Sequence, residues 1–427
     1  MKVGEQFCPG VLHAVSAKDG LLIRIRVPGG LIEANQLRAI ADVSRDFTDG
    51  YIEITSRANL QLRAIQDRDL ESIVERIALA GLLPSPQHDR VRNIVTSPIA
   101  GIDKDEVIDP RPLIHQLDQQ LRAEKVFIDL HPKFSFAIYG GSRRFSRSSD
   151  DISLEALALN SIPYFRFLIG GVYSGFVVRP EDVVDCMLVA AKMCIRVATE
   201  SNLPVRGKAV VMLPGAMKLI VDALSHMLTP SDVSPTSRLV EEALVGIYPT
   251  PQNERVSIIP SVPLGRLTAE QAIYLAEVGN EWKSDLRLSP WRGVVLGSIP
   301  NSAIDSIVSH LDSIGLSCDG RDGFRGITAC AGSSGCEASL ADVRSDAASL
   351  AQRLSGHAVP SGWTVNFSGC EKQCARRGGA TADLIAGPLG YALNIAGSHV
   401  ASDCSPEFAL ESVAAQHKKM LSEVAAQ

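Results

Sequence analysis

In LLIRIRV, Leu21 to Val27, apolar and basic residues alternate, which is the period of a half-buried strand. Pro28-Gly29-Gly30 breaks it. From Glu33 to about Ser44 the apolar residues Leu37, Ile40, Ala41 and Val43 recur at helical spacing, and YIEIT then returns to alternation. The pattern predicts strand, turn, helix, strand. It occurs twice: a shift of 235 positions lays Val27–Leu62 on Val262–Gly297 without a gap, and matches Pro28 with Pro263, Gly30 with Gly265, Gln36 with Gln271 and Arg57 with Arg292. A repeat of this length predicts two copies of one fold unit.

A second kind of segment follows each copy. After the first, FSFAIYGGSRR, FRFLIGGVYSGFVV and KAVVMLP supply strand-like apolar runs, and Glu181 to Glu200 reads as a buried helix. After the second, residues 326 to 397 form the corresponding stretch. Leu340, Val343, Ala347, Leu350 and Leu354 recur every three or four residues until Ser355-Gly356 ends the run, which predicts an amphipathic helix of about four turns; WTVNF follows as a strand. Proline and polar residues in LTPSDVSPTSR and GIYPTPQNER mark a join near 228 to 255. The expected order is small, large, small, large, with boundaries at 8–70, 85–228, 255–315 and 320–400 and a C-terminal helix over 401–427.

With 45% hydrophobic and 21% charged residues in 427 positions, the chain can build several cores. A formal net charge of -6 gives no global reason to expect nucleic-acid or membrane binding, so an anionic ligand would need a local basic pocket. The N-terminus lacks the apolar core of a secretion signal, and no run of about 18 apolar residues occurs. A cytoplasmic protein is expected. The duplication already supplies a pseudo-dimer within one chain, so a monomer is the default expectation.

The nine cysteines point to metal or redox chemistry rather than a disulfide scaffold. Four form two close pairs: Cys330 and Cys336 in ACAGSSGCEAS, and Cys370 and Cys374 in NFSGCEKQCARR. The helix between the pairs can bring both to one centre. Four thiolates suit a 4Fe-4S cluster or a structural zinc ion; C-x5-C is wider than most zinc spacings, and its glycine-serine filling suits a bulkier group. Cys8, Cys186, Cys194, Cys318 and Cys404 read as ordinary small apolar residues. No H-x3-H or similar set appears among the histidines, and no G-x-G-x-x-G follows a strand, so nicotinamide or flavin binding is not expected.

C-x5-C followed by S-G-C-x3-C resembles the cluster motif of the nitrite and sulfite reductase superfamily, in which four cysteines hold a 4Fe-4S cluster beside a tetrapyrrole. The VPGG…SRANLQL unit is similar to its ferredoxin-like half-domain, and DRVRNIVTSP and HPKFSFAI match further motifs. The resemblance implies an α+β fold in which duplicated ferredoxin-like half-domains alternate with two nitrite/sulfite reductase-type α/β domains about a pseudo-twofold axis. Within that superfamily, CPGVLHAVSAKDGLLIRIRVPGG and LRLSPWRGVVL resemble the precorrin-3B synthase branch. So does Ser135, where sulfite reductases of pattern K-x-K place a second lysine and many nitrite reductases an asparagine.

That branch implies an oxidoreductase, a monooxygenase that hydroxylates precorrin-3A at C20 with O2 and closes a γ-lactone, in aerobic cobalamin synthesis. Electrons would come from a separate reductase through the cluster; an additional iron is compatible, with no ligands assignable. Sirohaem enters only under the alternative, a sulfite or nitrite reductase, and a non-catalytic iron-sulfur or zinc-binding module is a further reading. Precorrin-3A carries eight carboxylates, so arginines and lysines must converge on it. The expected substrate-binding residues are Arg57, Asn59, Gln61, Arg92, Asn93, Lys133 and Arg292; Lys133 is the candidate catalytic group, and Cys330, Cys336, Cys370 and Cys374 are the expected cluster ligands. Arg90, Arg143, Arg144 and His131 are weaker candidates by proximity. In a synthase Cys374 keeps cluster ligation but loses the reductases' bridge to sirohaem iron.

Overall fold

A computed structural model describes residues 2–3, 8–142, 150–233, 244–376 and 378–425. The two repeats fold alike. In the first, strands Gly20–Ile25, Tyr51–Ile54 and Leu60–Ile65 form an antiparallel sheet backed by helices Ala34–Phe47 and Leu70–Leu79. In the second, strands Arg255–Ile259, Asp285–Leu288 and Val294–Pro300 are backed by helices Ala269–Trp282 and Ile304–Ser313. The 235-residue offset carries helix Ala34–Phe47 onto Ala269–Trp282 at both ends. Both begin with the same device: the Gln36 and Gln271 side chains each accept the N-cap backbone N–H, at 3.1 and 2.8 Å, which satisfies donors the helix leaves open.

The halves are not independent bodies. Strand Arg266–Thr268, just past the Pro-Gly turn of the second half, pairs antiparallel with Tyr51–Glu53 of the first, and Leu31 reciprocally bridges Arg287. The helices Ala34–Phe47 and Ala269–Trp282 pack face to face. A Cβ on Gly279 would lie 3.0 Å from the Ala34 Cβ, so that glycine permits the close approach. Leu37 and Ile40 share one core with Leu275 and Ala276. Each half exposes one apolar helix stripe, and the other half covers it.

The larger segments are also a matched pair. In the first, strands Ile94–Val95, Phe136–Tyr139 and Ile152–Leu159 run parallel, and Ile162–Ile169 and Val172–Val178 continue antiparallel. In the second, Ile327–Ala329, Val365–Ser368 and Ala382–Ala386 run parallel, and Tyr391–Ile395 and Ser398–Cys404 continue antiparallel. Helices Arg111–Ala123 and Val183–Glu200 cover the first sheet, Val343–Leu354 and Pro406–Ala425 the second. The expected α+β architecture with alternating half-domains is what the chain adopts.

Three local expectations differ. KAVVMLP is not a strand: Gly207–Val211 is helical. Gly207 N–H donates to Asp151 Oδ1 at 2.7 Å, and Leu228–Pro230 takes the sheet edge instead; a short apolar run does not by itself distinguish the two states. The helix between the cysteine pairs starts at Val343, capped by Asp342, and leaves Leu340 exposed before it. The last sheet runs past residue 400 to Cys404, and helix Pro406–Ala425 buries Ala409, Leu410 and Val413 in the same core as Trp363. The C-terminal helix is therefore part of the second large domain.

Candidate functional site

Both halves and both large domains meet around a cavity of about 1240 Å³, above the roughly 300–1,000 Å³ usual for small-molecule pockets. Eleven described cations line it, Lys18, Arg24, Arg57, Arg63, Lys133, Arg206, Arg266, Arg292, Arg325, Arg344 and Arg376, against two acids, Glu53 and Glu337. In a chain of net charge -6, this is the local basic pocket a polyanion needs.

Ion pairing orders these cations without neutralising them. Glu53 is the hub: it accepts from Gln61 Nε2 at 2.7 Å and from Arg344 Nη2, and lies 3.6 Å from Arg266 Nε. Gln61 in turn accepts from Arg24 at 2.8 Å. Burial, with repulsion from Arg57 and Arg292, pushes the Arg24 guanidinium down to about 10, so it stays charged at neutral pH. Arg26 behind it, fully buried, is pushed down to about 9. Holding such cations out of water is costly, and an incoming carboxylate offsets the cost.

Of the expected pocket residues, Arg57, Asn59, Gln61, Asn93, Lys133 and Arg292 line the cavity. Their surroundings divide them. Asn59 is buried, accepts from Val27 N and donates to Asn93, whose own amide donates to the Pro132 and Phe134 carbonyls at 3.0 Å each. The two asparagines thus hold the segment that presents Lys133. Arg57 reaches the Lys133 carbonyl at 3.4 Å, and Lys133 is exposed to the cavity. Arg206, anchored to buried Asp151 at 2.8 Å, stands on the same side.

Arg92 does not line the cavity. It is buried against Asp118 by two hydrogen bonds of 2.7 and 3.0 Å, and so ties strand Ile94–Val95 to helix Arg111–Ala123. Arg90 is also outside the lining, and Arg143 and Arg144 lie outside the described residues. His131 accepts the Lys133 N–H at 3.0 Å; burial, then Arg206 and Lys133, hold its imidazole below the ordinary range. Ser135 is turned inward: it is 1% exposed, its N–H donates to Asp151, and its hydroxyl has no partner among the described residues.

Sequence reading missed Arg24, Arg206, Arg266 and Arg344. Arg24 had a signal, since it is a basic position of the alternating strand LLIRIRV. The other three are brought in by tertiary folding from separate segments.

All four paired cysteines line the same cavity. A short helical turn, Gly332–Gly335, carries the chain between the first two, and the Gly369 N–H donates to Cys330 Sγ at 3.2 Å. Burial and the nearby Cys330, Cys370 and Cys336 sulfurs raise the Cys374 thiol, so the four sit close enough to interact. Among the described residues no three His, Cys, Asp or Glu side chains converge tightly enough for a single metal ion. A donor set of four thiols in two loops, with the Gly369 N–H aimed at the Cys330 sulfur, fits a 4Fe-4S cluster.

The profile of the nitrite/sulfite reductase ferredoxin-like half domain matches residues 13–80 and 248–314, the two repeats. That of the nitrite and sulphite reductase 4Fe-4S domain matches residues 87–200. Together they span more than half of the chain. The chain belongs to the nitrite and sulfite reductase superfamily. It carries that superfamily's 4Fe-4S cluster and is an oxidoreductase.

Within the superfamily it is 28% identical to a precorrin-3B synthase of Sinorhizobium sp, over 92% of this chain and 83% of that protein. It is 27% identical to a ferredoxin–nitrite reductase of Synechococcus elongatus, over 83% and 74%. The NirA protein of Mycobacterium tuberculosis shares the fold, with TM-score 0.75 and 22% identity over 89% of this chain and 75% of that one. No helix among the described residues is long and apolar enough to cross a membrane.

Proposed function

We propose that this chain is a precorrin-3B synthase, which hydroxylates precorrin-3A at C20 with O2 and forms the γ-lactone, taking electrons from a separate reductase. The observation that carries the reading is the fate of the K-x-K position: Lys133 stands in the cavity, whereas Ser135 is buried behind it with its N–H on Asp151. Sulfite reductases of the K-x-K pattern place a second lysine at this position as a cationic proton donor to the small anion, and the buried Ser135 supplies none. The relative of that name also aligns with the larger share of this chain.

Cys330, Cys336, Cys370 and Cys374 hold the cluster, which supplies single electrons. Arg57, Arg24, Arg206, Arg266 and Arg344 pair with the carboxylates around the macrocycle rim. Glu53 keeps Arg344 and Arg266 aimed inward and fixes Arg24 through Gln61. Lys133 Nζ is placed to hold or donate a proton where oxygen is reduced, and the neutral His131 below it supports its backbone. Hydroxylation puts one oxygen atom into the substrate; the other leaves as water after taking up two electrons and two protons.

The second reading is a sirohaem-dependent nitrite reductase, favoured by Cys374, which is exposed on the cavity wall where an iron could meet its sulfur. One experiment separates them. Anaerobically purified protein is analysed for iron, sulfide and haem, then given precorrin-3A, reductant and O2. A product heavier by one oxygen atom, without bound sirohaem, supports the synthase. Bound sirohaem with nitrite or sulfite turnover overturns it.

A further inference from the structure

Two of the cavity arginines donate to the backbone of the cysteine loops. Arg63, on strand Leu60–Ile65, is 6% exposed; it is clamped to Asp19 by two 2.9 Å hydrogen bonds and donates to the Gly335 carbonyl, one residue before Cys336. Arg292 is in the other half, on the turn before strand Val294–Pro300, and donates to the Ala375 carbonyl at 2.7 Å, one residue after Cys374.

Both placements are built. A Cβ at Gly335 would lie 2.8 Å from Arg63 Nη2 and 3.0 Å from Asp19 Oδ2, and a Cβ at Gly265 would lie 2.6 Å from the Arg292 Cβ. Arg292 itself has φ of 68°, a left-handed conformation that is strained for a non-glycine residue. A side chain needed only as a mobile surface cation would not require either glycine or that backbone.

We infer that Arg63 and Arg292 are a pair of positioning residues for the cluster, one from each half, which grip the two cysteine loops and raise the reduction potential by placing positive charge beside the thiolates. Each half thus contributes one cation to a cysteine loop, from positions the repeat does not relate, and Arg292 acts on the cluster rather than on a substrate carboxylate. This rests on the cluster assignment above and is independent of which substrate the cavity takes. A nearby fixed cation favours the reduced, more negative cluster, and the potential of such clusters follows net charge and hydrogen bonding.

The test is an anaerobic, substrate-free redox titration of the purified full chain, followed by the EPR signal of the reduced cluster. In Arg63→Gln and Arg292→Gln the ratio of reduced to oxidised cluster at a fixed potential should fall about tenfold, a shift of roughly 59 mV for one electron. The lysine variants, which keep the charge, should fall less. Asp19→Asn unmasks the Arg63 charge and should move the ratio upward, so the idea survives a glutamine variant that fails to fold. Arg196→Gln, on an exposed helix surface, should leave it unchanged. Unaltered ratios in the glutamine variants, or a downward shift in Asp19→Asn, overturn the inference. Wild-type protein without iron and sulfide overturns the cluster assignment itself.

Discussion

Arg57 and Arg292 occupy the same place in two copies of one fold unit, yet they serve different neighbours. Arg57 reaches the backbone of the segment that presents Lys133, and Arg292 reaches the backbone beside Cys374. The duplication reproduced the helix and its Gln cap to the residue and the strands to within one, so the difference does not arise within the halves. It arises because each position faces a different large domain: the first of these carries the lysine, the second the cysteines. The joints between halves and domains are crossed in the same manner. Glu53 of the first half binds Arg344 of the cysteine-bearing domain, while Asp285 of the second half binds Arg111 of the other at 3.2 Å. A pseudo-symmetric frame thus becomes an asymmetric cavity, with Lys133 presented from one large domain and the four cysteines from the other.

The largest effect should come from removing that asymmetry at its source. Cys370→Ser is expected to lose most of the iron and sulfide and the associated visible absorption, about four of each per chain in the intact protein, measured by metal and sulfide analysis. Retention of a full complement would show that the two cysteine pairs do not share one cluster.

Arg92 and Arg57 should then separate by kind. Arg92→Met leaves Asp118 buried with Arg122, at 3.1 Å, as its remaining cation among the described residues. Its cost should approach the roughly 3–5 kcal/mol of a broken buried pair, seen as a lower Tm, with tetrapyrrole affinity of the folded fraction unchanged. Arg57→Ala should do the reverse. Stability should shift little, while Kd for the tetrapyrrole, followed by absorbance titration, should rise by the roughly 10- to 100-fold that losing a hydrogen bond to a charged group of about 1.5–3 kcal/mol implies. Equal loss of affinity in both variants would return Arg92 to the site.

The smallest effect tests the joint near Arg111. Glu106 has one carboxylate oxygen on the Gly101 N–H and the other without a partner among the described residues, and burial pushes its carboxyl up to about 8 from 4.5. The folded protein therefore keeps the proton that the unfolded chain has already lost. The stabilisation is complete below about pH 4.5, declines as pH rises, and is gone above about 8. Glu106→Gln mimics the protonated form, so its Tm should exceed that of the parent at pH 8 and converge with it near pH 4.5. Each tenfold difference in proton affinity between the folded and unfolded chain is worth at most about 1.4 kcal/mol of that gap. Parallel pH profiles would show that Glu106 titrates normally.

How much of this was legible depended on distance along the chain. The repeat with its match of Gln36 to Gln271, the apolar stripe of helix Ala34–Phe47 and the two cysteine pairs are local patterns, written at fixed spacings. KAVVMLP failed as a strand because its state is decided by what it packs on, Asp151 and the sheet end, and not by its own period. Arg92 failed as a pocket residue because a motif gives the backbone position but not the partner, and here Asp118, one helix away, takes the guanidinium.

By itself the sequence determined the duplication and the two cysteine pairs, since backbone periodicity and thiol spacing are short-range properties, and its family resemblance supplied the α+β fold class and the 4Fe-4S chemistry. Only the tertiary structure decided which arginines face the cavity, that Ser135 turns inward, and that equivalent arginines divide between the segment of Lys133 and the loop of Cys374. Charge acts through space and is set by burial and neighbours from all four segments, and no spacing along the chain encodes it.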